Sequence, residues 1–237
     1  MCGSGGAPHA IDEGVAFYAG SLEGEDGTSG GYFLHNLAQK RCGRMGTCDT
    51  DGMAAANTAI YREFDQIKAD VLAEECDDAA TTLTKIVPLM TIPLIQGTVE
   101  YAYKADPESA YTCKHAGEDG QDCQKEWAEG WAFASGALPQ IAACDAGAAD
   151  VVRKNLEVTA AGGAEGAQVP DGYMAVKEAV ESVYECLGIT CGDVGAFDAA
   201  NSGMEVCKDG ELEKGSDAAA GLRASLLAAL AAAAFAL

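Results

Sequence analysis

Apolar residues recur at helical intervals along most of this chain. Ile60, Phe64, Ile67 and Val71 advance by four, three and four residues, which sets them on one face of a helix that Asn57 could cap. Ile11, Val15, Ala19 and Leu22 make a similar stripe, and Met174, Ala175, Val176, Val180, Val183 and Leu187 suggest another helix. The stretch from Leu83 to Val99 is very apolar but holds Pro88 and Pro93. Prolines kink or break a helix, so this stretch predicts a buried, broken helix rather than a membrane span. Strand-type alternation is scarce. Residues 23–31, 49–52, 116–122 and 160–172 are rich in Gly and Asp and read as loops. The pattern as a whole predicts an all-α protein.

A weak internal repeat divides the pattern. The segment Ile11 to Leu22 (IDEGVAFYAGSL) resembles Trp127 to Leu138 (WAEGWAFASGAL), at an offset of 116 residues. The expectation is a helical bundle of two related halves, residues 7–112 and 113–210. Chance similarity in an Ala- and Gly-rich chain is the competing explanation.

Composition narrows the function. The 237 residues are 49% hydrophobic and 22% charged, enough to build a core. There are 15 Lys+Arg against 37 Asp+Glu, a formal net charge of −22. That charge repels phosphate backbones, which argues against nucleic-acid binding, and attracts cations.

Ten cysteines are spread along the chain with no CxxC pair, which excludes zinc-ribbon and thioredoxin-type motifs. The even count points to disulfides and an oxidising compartment. The spacings Cys42/Cys48, Cys113/Cys123 and Cys186/Cys191 suit short disulfide loops, but sequence leaves the connectivity open. The C-terminal residues 215–237 place small residues before a short spacer and then an apolar run from Ala224 to Leu237. That is the pattern of a GPI-attachment signal, and the run is short of the about 20 residues a spanning helix needs. A buried C-terminal helix is the alternative. The first residues, MCGSGG, have no basic and no apolar signal-peptide region. The expectation is a precursor whose signal peptide is missing from this sequence.

Chemistry concentrates near the first helix. Pro8 suits a first turn, and His9, Asp12 and Glu13 then fall on one face. An imidazole and two carboxylates in that arrangement can ligate a transition metal, and carboxylates suit hard Fe(III). The same acidic residues also suit the positive end of a helix dipole. In the second half Glu129 matches Glu13, while Lys125 and Ala128 stand where His9 and Asp12 do. A site built on His9 and Asp12 would therefore exist once. Eight tyrosines, Tyr18, Tyr61, Tyr101 and Tyr111 among them, form a second pool of oxygen donors, and phenolate is a strong ferric ligand. Any one tyrosine is more commonly a packing residue with a satisfied hydroxyl. His35 is as readily structural as ligating. Asp49-Thr50-Asp51-Gly52 begins like an EF-hand loop but lacks the terminal Glu. No GxSxG, HExxH, Walker or GxGxxG motif is present, so the chain does not read as an enzyme.

The stretches Ile11 to Leu22 and Tyr32 to Cys48 (YFLHNLAQKRCGRMGTC) resemble the algal iron-assimilating, high-CO2-inducible periplasmic proteins, relatives of the low-iron-inducible phytotransferrins of diatoms. Glu129 to Leu138 and Tyr173 to Cys191 (YMAVKEAVESVYECLGITC) fit as well. The resemblance implies a periplasmic or cell-surface protein that binds Fe(III), with carbonate as a synergistic anion, and supports iron uptake. It supplies no ligand set. From the residues themselves, the candidate ligands are His9, Asp12, Glu13, Tyr18 and Glu129. Helical halves are also similar to imelysin-like bundles, whose motif sets His three residues before Glu, whereas here Asp12 follows His9 at that distance. A structural surface-coat protein and an imelysin-like hydrolase are the alternatives to iron capture. Because metal ligands must be deprotonated, acidification is expected to weaken binding.

Overall fold

The computed structural model describes residues 7–20, 31–111, 123–158 and 168–197, together with Met204 and Cys207. The tail 215–237, Cys2, Cys113 and most of the expected loops lie outside the described residues. Nine helices and no strands occur among the described residues: α1 (Ala7–Ala19), α2 (Leu34–Met45), α3 (Ala55–Leu72), α4 (Cys76–Ala105), α5 (Cys123–Cys144), α6 (Ala146–Leu156), α7 (Tyr173–Glu181), α8 (Tyr184–Leu187) and α9 (Cys191–Val194). The all-α, disulfide-stabilised class read from the pattern is the one observed. The chain divides into two compact units, with the boundary between Pro93 and Leu94. The expected halves concern internal sequence relatedness, on which a division by compactness does not bear.

In the first unit the stripe Ile60, Phe64, Ile67 and Val71 is buried along its whole length. Ile11, Val15 and Tyr18 of α1 and Leu83, Ile86 and Leu89 of α4 join the same apolar cluster. Removing such side chains from water is the main stabilising term, at about 25 cal/mol per Å² of apolar surface. Gly14 faces α3, and a Cβ there would make ordinary contact with the Phe64 ring at 3.4 Å. Gly20 ends α1 in the left-handed region at φ 79°, and the Phe33 ring occupies the space that a Cβ would need.

Asn57 does not cap α3. Ala54 holds the cap position, and Asn57 lies inside the helix with no exposed surface. It extends the buried stripe by one step, so its amide belongs to the interior.

The turn after α2 is closed by the Cys42–Cys48 disulfide, one of the short loops that spacing suggested. Asp49 is consumed by this turn: its carboxylate accepts from the amides of Asp51 and Met53 and from the Thr58 hydroxyl. The Thr58 hydrogen bond is the main cause that holds its carboxyl below the usual range.

The expected break in α4 is absent. Pro88 and Pro93 both lie inside one continuous helix. Each removes one amide donor, and burial of Ile86, Ile92, Ile95 and Val99 along the same helix offsets that loss. No described helix is long and apolar enough to cross a membrane.

In the second unit α5 turns into α6 at Asp145, whose carboxylate caps the new helix by accepting from Gly147 and Ala148 amides at 2.7 and 3.2 Å. The Trp127 indole donates to the Asn155 carbonyl at 3.0 Å. Gln96 of α4 donates to the Val194 carbonyl at 3.0 Å. The expected short loop Cys186/Cys191 does not form: Cys186 pairs with Cys144, and Cys191 with Cys207. Packing of α8 on the end of α5 decides this, because it brings the Cys144 and Cys186 Cα atoms to 5.8 Å, within disulfide range.

Among the described residues, 11–19 of the first repeat segment lie in α1 and 127–138 of the second lie in α5, and their matched residues differ in setting. Gly130 marks a close approach, with a Cβ position 3.2 Å from Leu156 and 3.3 Å from Tyr101, whereas a Cβ on Gly14 would make ordinary contact with Phe64 at 3.4 Å. Phe17 is exposed, whereas Phe133 stacks on Tyr101 at 5.4 Å between ring centroids and fits over Gly97. A Cβ on Gly97 would come within 2.5 Å of the base of that ring. Gly97→Ala is therefore expected to destabilise the protein by about 1–2 kcal/mol, the overpacking cost exceeding the gain in helix propensity. A urea titration that finds this variant as stable as the parent would refute the close fit.

Candidate functional site

The residues proposed from sequence separate into three settings. His9, Asp12 and Glu13 share α1 and are all exposed. Asp12 pairs with Lys68 of α3 at 2.7 Å; such exposed pairs contribute about 0–1 kcal/mol. Glu129 lies on α5 in the second unit, 3.0 Å from Lys125. Partial burial pushes its carboxyl upward, but hydrogen bonds from Tyr101 and Lys125 prevail and hold it below the usual range. Tyr18 is the member of the set that is buried, at 2% exposure. Among the described residues no group of three or more His, Cys, Asp and Glu side chains is arranged to hold a metal ion.

What the fold does assemble is a cluster of phenols and an imidazole around Tyr18. Three helices build it. α1 carries Tyr18 four residues beyond Gly14, on the face that Gly14 turns toward α3. α2 starts at Leu34, so His35 falls in its first turn. α3 contributes Asn57 and Tyr61, which follow the i, i+4 rule on its buried side. The Tyr18 ring meets His35 edge-on at 5.9 Å and Tyr61 at 5.9 Å, and His35 lies 5.6 Å from Tyr61. The three rings thus form a nearly equilateral triangle. Phe64 closes one side, 6.4 Å from Tyr18.

Asn57 ties the cluster together. The Tyr18 hydroxyl donates to its Oδ1, and its Nδ2 donates to the His35 carbonyl at 3.1 Å. Burial pushes the Tyr18 phenol far above the usual range, and the neighbouring Tyr61 adds to the shift. Without a cation, Tyr18 is therefore a neutral phenol in an apolar setting.

The donor set suits a hard or borderline trivalent cation. Two phenol oxygens can supply two negative charges once deprotonated, and imidazole is an accepted nitrogen ligand for iron. His35 and Tyr61 stand out poorly in the sequence because each lacks a motif. The available signal was positional: Asn57 and Tyr61 flank the first residue of the α3 stripe.

A second buried polar cluster occurs in the second unit. Lys104 lies 2.7 Å from Glu100 and 3.9 Å from Glu126, and all three are buried. The Lys104 ammonium also sits over the rings of Tyr101, Tyr111 and Phe197, at 4.7, 5.4 and 5.4 Å. The ion pairs, the exposed Lys125 at 3.6 Å from Glu126 and these ring contacts mark it as an internal ion network.

Fold and site together define an all-α, disulfide-bonded protein with a buried phenol–imidazole cluster. The chain belongs to the low iron-inducible periplasmic protein family, whose family model matches residues 2–211. The resemblance read from residues 11–22 and 32–48 is thereby shown, and with it an iron-regulated, periplasmic setting. Comparisons with curated proteins and with solved structures give no match.

Proposed function

We propose that this protein captures ferric iron outside the plasma membrane and supports its assimilation, as a binding protein that turns over no substrate. The triangle of Tyr18, His35 and Tyr61 rings carries the reading. Iron is here cargo, held by the two phenol oxygens and the imidazole. Two phenolates leave one positive charge of Fe(III) unbalanced, which favours an additional anion, and carbonate fits that role. The net charge of −22 raises the local cation concentration at the surface. In this reading the protein works in the periplasm or at the cell surface, held by the lipid anchor that residues 215–237 suggest.

Capture on a phenol displaces its proton, so affinity falls as the pH falls. The test is a titration of the full chain with ferric nitrilotriacetate, with and without bicarbonate, followed by visible absorbance and calorimetry. A phenolate-to-iron charge-transfer band at one equivalent is expected. Tyr18→Phe with Tyr61→Phe should remove the band and lower affinity beyond the about 10–100-fold seen when an outer partner is lost. His9→Ala with Asp12→Ala should leave the band in place. Retention of the band without Tyr18 and Tyr61, or its loss without His9 and Asp12, refutes this ligand assignment. Weak, many-site, salt-sensitive binding in the parent refutes capture itself.

A further inference from the structure

Little apolar surface holds α2 against α3. Of the six buried residues of α2, three are polar: His35, Asn36 and Arg41. A small separate cluster joins Ala38 and Cys42 of α2 to Ala54 at the start of α3. An alanine offers one methyl group, so burial of this contact contributes little. A helix of 12 residues does not persist on its own propensity. Directional ties therefore set its position. At the first turn of α2 the His35 carbonyl accepts from Asn57 Nδ2 at 3.1 Å. At the last turn Cys42 is bonded to Cys48. Between these ends Gln39 clasps the connecting turn, donating from Nε2 to the Gly52 carbonyl at 2.7 Å and accepting at Oε1 from the Ala54 amide at 3.0 Å. The Gln39–Gly52 bond is exposed, where water competes for both partners. The disulfide is the covalent member of this set.

The three described disulfides differ in access. Cys48 is exposed, whereas Cys144, Cys186 and Cys207 are half-buried and Cys191 is buried. A thiolate arriving from solvent therefore reaches this bridge, through Cys48, more readily than the other two. We propose that the Cys42–Cys48 disulfide is a thiol-sensitive tie that sets α2 against α3, so that its opening by a reducing thiol withdraws His35 from Tyr18 and Tyr61 and weakens the cation site. The effect on the cation rests on the ferric reading, while the thiol sensitivity belongs to the cation-free protein. In the first step the thiolate attacks Cys48 Sγ, the bond to Cys42 breaks, and its electron pair passes to Cys42 Sγ, which takes a proton from solvent. Cys42 is buried, and Gln39 Nε2 lies 3.9 Å from the leaving sulfur. A second thiolate then attacks the outer sulfur of the mixed disulfide and releases Cys48, which is protonated in turn. Two external thiols are oxidised to one disulfide, and one protein disulfide is reduced to two cysteines.

Three measurements on the full chain test it. The metal-free protein is equilibrated in glutathione buffers of rising reducing strength, quenched with iodoacetamide and mapped by mass spectrometry. Cys42 and Cys48 should be alkylated while Cys144–Cys186 and Cys191–Cys207 remain closed, and opening of either of those bridges at the same stage or earlier overturns the proposal. In the selectively opened protein, circular dichroism should remain helical while proton NMR loses the cross-relaxation between the His35 and Tyr61 rings, which lie 5.6 Å apart when the bridge is closed. Persistence of that contact overturns the proposal whether or not iron binds. After the glutathione is removed, titration with ferric nitrilotriacetate should show an affinity lower by about 10–100-fold, the size of effect seen when a partner outside the ligand set is lost. Unchanged affinity overturns the coupling to the site. Cys42→Ser with Cys48→Ser checks that the added alkyl groups are not the cause: it should bind at the same lowered level and show no response to glutathione. Absence of any ferric band in the untreated parent refutes the ferric reading alone, and the thiol map and the ring contact then decide the tie.

Discussion

Lys104→Met is expected to lower the free energy of unfolding by about 3–5 kcal/mol, the usual cost of breaking a buried ion pair from one side. Glu100 is wholly buried and lies one helical turn from Lys104, which approaches it to 2.7 Å. Glu126 retains Lys125 at 3.6 Å after the change, so Glu100 bears most of the loss. Methionine keeps most of the apolar stem but lacks the terminal ammonium, so the cation–π contacts with the Tyr101, Tyr111 and Phe197 rings are lost together with the ion pair. Glu100→Gln in the Lys104→Met background should recover part of the stability, because the buried charge is then removed from both sides. Urea unfolding of the four proteins closes a double-mutant cycle, and a coupling below about 0.5 kcal/mol would show that the pair is not a unit.

Replacing Cys144 and Cys186 together by alanine is expected to cost roughly 4 kcal/mol, from the loop-closure entropy restored to the unfolded chain. The bridge spans 42 residues, against 16 for Cys191–Cys207 and 6 for Cys42–Cys48, so it constrains the unfolded chain most among the three. It also joins the end of α5 to α8, a helix of four residues that could not persist alone. Denaturant midpoints with unchanged slope would give the loss directly. A change under about 1 kcal/mol would mean that the unfolded chain is already compact around these elements.

The helices were the most legible part. The stripe from Ile60 to Val71 needs no partner to be recognised, because its period is that of the helix itself, and every member is buried in the fold. The α4 segment was misread for a related reason. The local cost of Pro88 and Pro93 is visible in sequence, while the burial that offsets it is not. Of the candidate ligands, Tyr18 lies in the buried cluster, whereas the exposed group His9, Asp12 and Glu13 stands out in the sequence because its spacing is local. His35 and Tyr61 carry no spacing signal relative to Tyr18. Asn57 has the residue type of a cap and the position of a core residue, and only packing distinguishes these.

The amino-acid order by itself determined the all-α class, the acidic surface, the disulfide chemistry and membership of the low iron-inducible periplasmic family, because each depends on composition, periodicity or long matched segments. Tertiary structure decided which cysteines pair, that α4 runs unbroken through its prolines, and that one phenol, one imidazole and a second phenol meet around a buried amide. Those outcomes depend on contacts between residues far apart in the chain, such as Tyr18 and Asn57 at a separation of 39. No local pattern encodes such a contact, because it exists only when three helices bury their apolar faces together and bring their few polar groups inside with them.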